Sequence, residues 1–197
     1  MIIDRPYLKD LVMLFLASYI FLLRLPSEGL PLAAHEAPAG VHDPVPVLSV
    51  TECEIVVDFP FRKNRLHPSR QVRACWCKHC KLTCPIHVLG KYMAAQGSGS
   101  QPFVHIRSAQ ALLALRELLL ELNVPDALCY GTHGFRRGHA EDLLQAGGRL
   151  GDILAAGDWR SAAFLDYLNK ERLVRDRIAE AHAAVTASDS SSDEEHT

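Results

Sequence analysis

The chain reads as an α+β fold, mainly α-helical with a small β-sheet or hairpin, and three features of its 197 residues carry that reading. Long apolar runs recur at helical spacing, one stretch near residue 50 alternates and is β-branched, and Pro and Gly clusters punctuate the intervals. At 48% hydrophobic, this length buries one sizeable core. The expected organisation is one domain over residues 1–185 and an acidic tail over 186–197.

Residues 7–25 read as a helix that is apolar nearly all round, hence buried, and ended by Pro26. Its centre, LVMLFLASYIFLL, has 13 residues, short of the ~20 that cross a bilayer. The leader MIIDRPYLKD mixes two acids with two bases, unlike the positive start of a secretory signal, so a membrane partner is not expected. Residues 33–46 are rich in Pro and Ala and read as a connecting loop. LSVTECEIVVDF alternates as two short strands before the basic turn FRKNR, which puts Lys63 near a hairpin tip. A further strand is expected at 102–106.

Ser108 is placed to cap the helix AQALLALRELLLEL, which stops at Asn123-Val124-Pro125. The next helix starts near His133 and ends at the pair Gly147-Gly148. A short helix over 150–156, a turn at Trp159 and a helix carrying Tyr167 follow. A final amphipathic helix over 171–185 sets Leu173, Val174, Ile178, Ala181 and Val185 on one side, either for packing within the chain or for docking onto a second protomer. The closing SDSSSDEEHT lacks large apolar residues and is expected to be disordered.

The formal net charge of −2 hides an uneven distribution. The tail holds Asp189, Asp193, Glu194 and Glu195 and no base; without those four acids the balance becomes +2. Between Asp58 and Glu117 there is no acid, while Arg62, Lys63, Arg65, Arg70, Arg73, Lys78, Lys81, Lys91, Arg107 and Arg116 are basic. Such a run fits a surface that tracks phosphates, or a solvated face of an ordinary domain.

Six cysteines, four of them within ten residues and none behind a secretory signal, fit a reducing compartment better than a disulfide framework. Cys75, Cys77, Cys80, Cys84 and His87 could hold zinc through three thiolates and the imidazole, or through four thiolates; buried thiols acting as small hydrophobes are the plainer reading.

The polar residues of the 133–167 stretch carry the chemistry. His133 and Arg136 stand at i and i+3, so on a helix they share a face and could reach one phosphate oxygen. A tyrosine ending such a stretch is a candidate nucleophile. Taken singly, each has a blander reading: Tyr167 and Trp159 as core aromatics, Arg136 and Arg137 as an exposed basic pair, His139 as a structural partner.

The motif His133-Gly134-Phe135-Arg136, then Trp159, then Tyr167 in AFLDYL resembles the tyrosine recombinase, or phage integrase, family, with its H-x-x-R box, its His or Trp and its nucleophilic Tyr. LLRLPSE adds Arg24 and Glu28, and PFRKNR adds Lys63. The blocks FLLRLPSE, CPIHVLG, THGFRRGHA and WRSAAFLDYL resemble more narrowly the recombinases of eukaryotic mobile elements of the crypton-like kind common in fungi, and the likeness covers nearly the whole chain.

The resemblance implies the recombinase catalytic-domain fold, double-stranded DNA as partner, a homo-oligomer on DNA joined through the C-terminal helix, and a nuclear site of action. It implies Arg24, Lys63, His133, Arg136, Trp159 and Tyr167 as the catalytic set. Tyr has an ordinary pKa of about 10, so its hydroxyl needs an acceptor, and His133 would supply it. Arg24 and Arg136 would hold the non-bridging oxygens, Lys63 would protonate the leaving 5′-oxygen, and Trp159 would offer one indole N–H. The phosphotyrosyl link conserves bond energy, so no cofactor, neither ATP nor a metal, is implied.

The chain departs from the family pattern in three respects. Glu28 follows Arg24 by four residues instead of three, and Tyr167 follows Trp159 by eight, about one fewer than usual. The helical core-binding domain that normally precedes the catalytic one has no room here. A catalytically inactive DNA-binding remnant and a type IB topoisomerase-like activity are therefore the alternatives, with a membrane-anchored protein as a third.

Overall fold

The N-terminal apolar run becomes the central helix of the core, α1 (Arg5–Ile20), in the computed structural model, which describes residues 5–40, 42–62, 67–75, 77, 81–159 and 174. Leu11, Leu14, Phe15, Ala17 and Ile20 are buried along it, followed by Phe21, Leu22 and Leu23. The helix stops earlier than Pro26 requires, because the backbone turns at Leu22, which takes a positive φ of 49°. That left-handed turn strains a leucine by roughly 1–2 kcal/mol, which its complete burial against Ala140, Leu144 and Ile153 offsets. No helix among the described residues is long and apolar enough to cross a membrane.

Among the described residues, four strands form one mixed sheet in the order β1-β2-β3-β4. The alternating segment yields β2 (Val47–Val50) and β3 (Glu54–Phe59), antiparallel with Leu48 opposite Val57. Two differences from expectation flank them. Ala33–Ala34, within the expected loop, forms a short strand β1 parallel to β2, and β4 (Ser69–Ala74) pairs antiparallel with β3. The sequence SRQVRA hides β4 because an edge strand needs few apolar residues. The basic stretch FRKNR falls in sequence between β3 and β4, and residues 63–66, Lys63 among them, are outside the described residues.

The helices α2 (Pro85–Ala94), α3 (Ser108–Glu121), α4 (Gly134–Gln145) and α5 (Leu150–Gly157) complete the described fold. Helix α2 starts where the cysteine-rich segment ends, with Cys84 as its N-cap, and buries Leu89, Tyr92 and Met93 in the main core cluster. The strand expected at 102–106 is instead a pair of turns, with Phe103 buried and stacked on Tyr92 at 5.8 Å. Ser108 is the first helical residue and makes no capping bond; Arg107 takes the N-cap position. Asn123, at φ 55°, lies just past the end of α3, and Gly147, at φ 83°, just past the end of α4. The expected Tyr167 helix, the helix over 171–185 and the disordered tail fall outside the described residues, save Val174.

Helix α4 is held on α1 by two ring pairs one turn apart on each helix: Phe15 stacks on Phe135 at 4.9 Å, and Tyr19 meets His139 edge-on at 4.6 Å. The Tyr19 hydroxyl donates to Asp142, and burial together with that carboxylate pushes its pKa up to about 12. Burial, reinforced by the Arg73 charge and partly opposed by Asp142, pulls His139 from its ordinary 6.5 down to about 4. The unfolded chain therefore takes up this proton before the folded one as the solution is acidified. Stability that is complete above about pH 6.5 should drain away as pH falls towards 4. Urea unfolding between pH 7 and pH 4 should show this loss in the parent and a shallower slope in His139→Phe; equal slopes would refute it.

Candidate functional site

The segment LLRLPSEG decides the site's geometry. Residues Leu25–Gly29 form a single π-turn, in which the Gly29 amide donates to the Arg24 carbonyl at 3.2 Å and the Leu30 amide to the Leu25 carbonyl at 2.9 Å. Glu28 consequently folds back on Arg24, accepting its backbone N–H at 2.8 Å and its guanidinium Nη1 at 2.9 Å. Gly29 lets this turn seat on α1: a Cβ there would lie 3.1 Å from Leu14 Cδ1 and 3.2 Å from Ser18 Oγ.

Glu28 is only 3% exposed, and a carboxylate so buried must be paired. Arg62, just beyond β3, closes on it as a fork, Nε to Oε1 at 3.0 Å and Nη2 to Oε2 at 2.9 Å, while lying over the Phe59 ring at 4.1 Å. Its Nη1 is 3.7 Å from Asp158 Oδ2. Arg136 approaches from α4, with Nη1 3.8 Å from Glu28 Oε2. Burial alone would raise the Glu28 carboxyl, but the hydrogen bonds and charge of Arg62, followed by those of Arg24, outweigh it and hold the group below its ordinary value.

Two arginines also clip one helix end to another. Arg136 donates to the carbonyls of Leu22 and Gly157, the latter at 3.0 Å, and lies over the Trp159 ring at 5.0 Å. Arg73, on β4, donates to the carbonyls of Ile20 and Ala156 at 3.0 and 3.1 Å. Both therefore satisfy carbonyls where α1 and α5 end, the negative pole of each helix dipole. Burial, and secondarily the charge of Arg62, lowers the Arg73 pKa.

Of the six catalytic candidates, Arg24 and Arg136 both face Glu28, and Trp159 lies against Arg136. His133 occupies the N-cap position of α4 one turn before Arg136, but it is exposed whereas Arg136 is buried. Lys63 and Tyr167 lie outside the described residues. Arg62 needs a correction: counted in sequence among a run of surface bases, it is 2% exposed and belongs to the ionic cluster. Arg70, with a side chain 66% exposed, and Lys81, Lys91 and Arg107 do face solvent.

A second constellation forms between the end of β4 and the start of α2. Cys75 Sγ lies 3.1 Å from Cys77 Sγ, 3.3 Å from Cys84 Sγ and 3.2 Å from His87 Nδ1, and Cys77 Sγ is 3.5 Å from the same nitrogen. All four donor atoms lie within 4.8 Å of one another. Cys80, the other cysteine of this segment, is outside the described residues.

Glu28→Gln would remove the buried charge that the Arg62 fork and Arg24 face, and should cost about 3–5 kcal/mol of stability, measured by chemical denaturation; a loss below about 1 kcal/mol would contradict the arrangement. Gly157→Ala would set a Cβ 2.1 Å from Trp159 Cζ3, displacing the indole from Arg136, and should shift the tryptophan emission of the folded protein. No protein-family model, curated protein or solved structure matches this chain.

Proposed function

We propose that this chain is the catalytic domain of a tyrosine recombinase that cuts and rejoins double-stranded DNA in the nucleus as part of a mobile element. The observation that carries the reading is the convergence of Arg24 and Arg136, remote in sequence, on the two oxygens of Glu28, with Trp159 against Arg136. These are three of the residues that the motif resemblance nominates, and nothing in their local sequence requires them to meet.

The chemistry follows from residue types. The Tyr167 hydroxyl oxygen forms a bond to the scissile phosphorus while His133 takes its proton. The bond from phosphorus to the 5′-oxygen breaks, and Lys63 protonates the departing 5′-hydroxyl. Arg24, whose side chain is 26% exposed, donates to a non-bridging oxygen as charge builds there, and Glu28 holds it in position from behind. One phosphate ester replaces another, and attack by a 5′-hydroxyl of a second strand reverses the step. The amphipathic stretch 171–185, expected to be helical, would join protomers on the DNA.

A second reading, a DNA-binding protein of the same ancestry without strand-transfer activity, is favoured by the state of Arg136. It is 2% exposed and spends Nη1 and Nη2 on backbone carbonyls, as a structural clip would.

A duplex nicked beside the scissile phosphate separates the two, since loss of the short 5′-hydroxyl fragment traps the covalent intermediate. An SDS-resistant protein–DNA adduct that disappears in Tyr167→Phe is the outcome expected of the enzyme. No adduct, together with binding that weakens steeply as salt rises, would establish the second reading instead.

A further inference from the structure

We propose that Cys75, Cys77, Cys84 and His87 form a structural zinc site that clips the end of β4 to the start of α2. The four donors come from three short pieces of chain: the residue after β4, the loop beyond it, and the first turn of α2 with its N-cap Cys84. Their common enclosure within 4.8 Å is the span of a tetrahedral site. Zinc–sulfur bonds of ~2.3 Å at tetrahedral angles place sulfurs roughly 3.8 Å apart, so the observed 3.1 and 3.3 Å separations would open by roughly 0.5–0.7 Å on binding.

Three alternatives explain the cluster less well. A disulfide requires sulfurs at about 2.05 Å, and in either pairing leaves a thiol and the imidazole converging without purpose. A cluster of neutral thiols gains little, because S–H is a weak donor and sulfur a weak acceptor. Apolar packing does not call for an imidazole nitrogen among the sulfurs.

The surroundings also favour a thiolate centre. The Cys77 amide points at Cys75 Sγ at 3.3 Å, and the amides of Ile86 and His87, at the N-terminus of α2, point at Cys84. Such N–H groups stabilise negative sulfur. The set is three sulfurs and one nitrogen, the borderline-soft donors that zinc prefers, and four protein ligands leave no position for substrate. The site is therefore structural. The metal would close the loop from Cys75 to Cys84 and anchor the edge strand β4, and with it the Arg73 clip between α1 and α5.

Elemental analysis of protein purified under reducing conditions with zinc supplied should give about one zinc per chain. Chelator should remove it and lower the melting temperature. The cobalt-substituted protein should show tetrahedral d–d bands and sulfur-to-cobalt charge transfer. Cys84→Ser and His87→Ala should lose the metal, whereas Cys53→Ser and Cys129→Ser, both exposed and outside the four-donor cluster, should keep it. If Cys84→Ser does not fold, the cobalt spectrum of the unmutated chain decides the matter by itself. Zinc below about a tenth per chain, or a cobalt spectrum without thiolate charge transfer, overturns the site. Metal kept by His87→Ala but lost by Cys80→Ser overturns this ligand set.

Discussion

The buried Glu28 carboxylate is the constraint on which the described structure turns. At 3% exposure it has surrendered its hydration, and it is tolerated because both oxygens receive charged or backbone donors: the Arg62 fork, the Arg24 guanidinium and the Arg24 amide. Each donor belongs to a different region. Arg24 follows α1, Arg62 leads out of β3, and Arg136, close behind, belongs to α4. Moving any of these elements would strand a charge in a dry interior, so the ionic cluster fixes their mutual placement more sharply than apolar packing could. Its value lies in position more than in net stability, since a buried ion pair repays little beyond its own desolvation.

Around that centre, the ends of α1 and α5 are treated alike. Each helix is followed closely by a left-handed residue, Leu22 at φ 49° and Asp158 at φ 54°. In each case the turn leaves carbonyls that the helix can no longer satisfy, and Arg73 and Arg136 take them in pairs, one from each helix. Arginine suits this work because its planar fork keeps its charge and donates in two directions at once. The same commitment limits what Arg136 has left for a ligand, whereas Arg24, on the outer side of Glu28, remains the accessible guanidinium of the cluster. Local stability and the proposed phosphate chemistry would thus draw on one set of side chains, with opposite requirements for Arg136.

The basic, acid-free segment divides into two populations. Arg62 and Arg73 turn inward to Glu28 and to the helix ends, while Arg70, Lys81, Lys91 and Arg107 stay at the surface. The inward pair had no acid within its own segment to meet. Arg62 therefore had to find its counter-charge elsewhere in the chain, and Glu28, 34 positions away, provides it. That deficit was the one sequence signal pointing to Arg62 as something other than a surface base.

The amino-acid sequence by itself determined the elements whose signals are local and periodic. The apolar run makes α1, alternation makes β2 and β3, leucine spacing makes α3, and a glycine just past its end stops α4. It did not reveal β4, whose edge position removes the need for apolar alternation, or α2, whose first turn carries His87 of the cysteine–histidine cluster. Nor could it show that Arg24 and Glu28 meet across a π-turn, that Arg62 is interior, or that His133 and Arg136, on one face by spacing, differ in burial. Those outcomes belong to the tertiary structure, because a charge reads only as hydrophilic in a sequence. Whether it faces water or a buried counter-charge is decided by what the rest of the chain brings within about 3 Å.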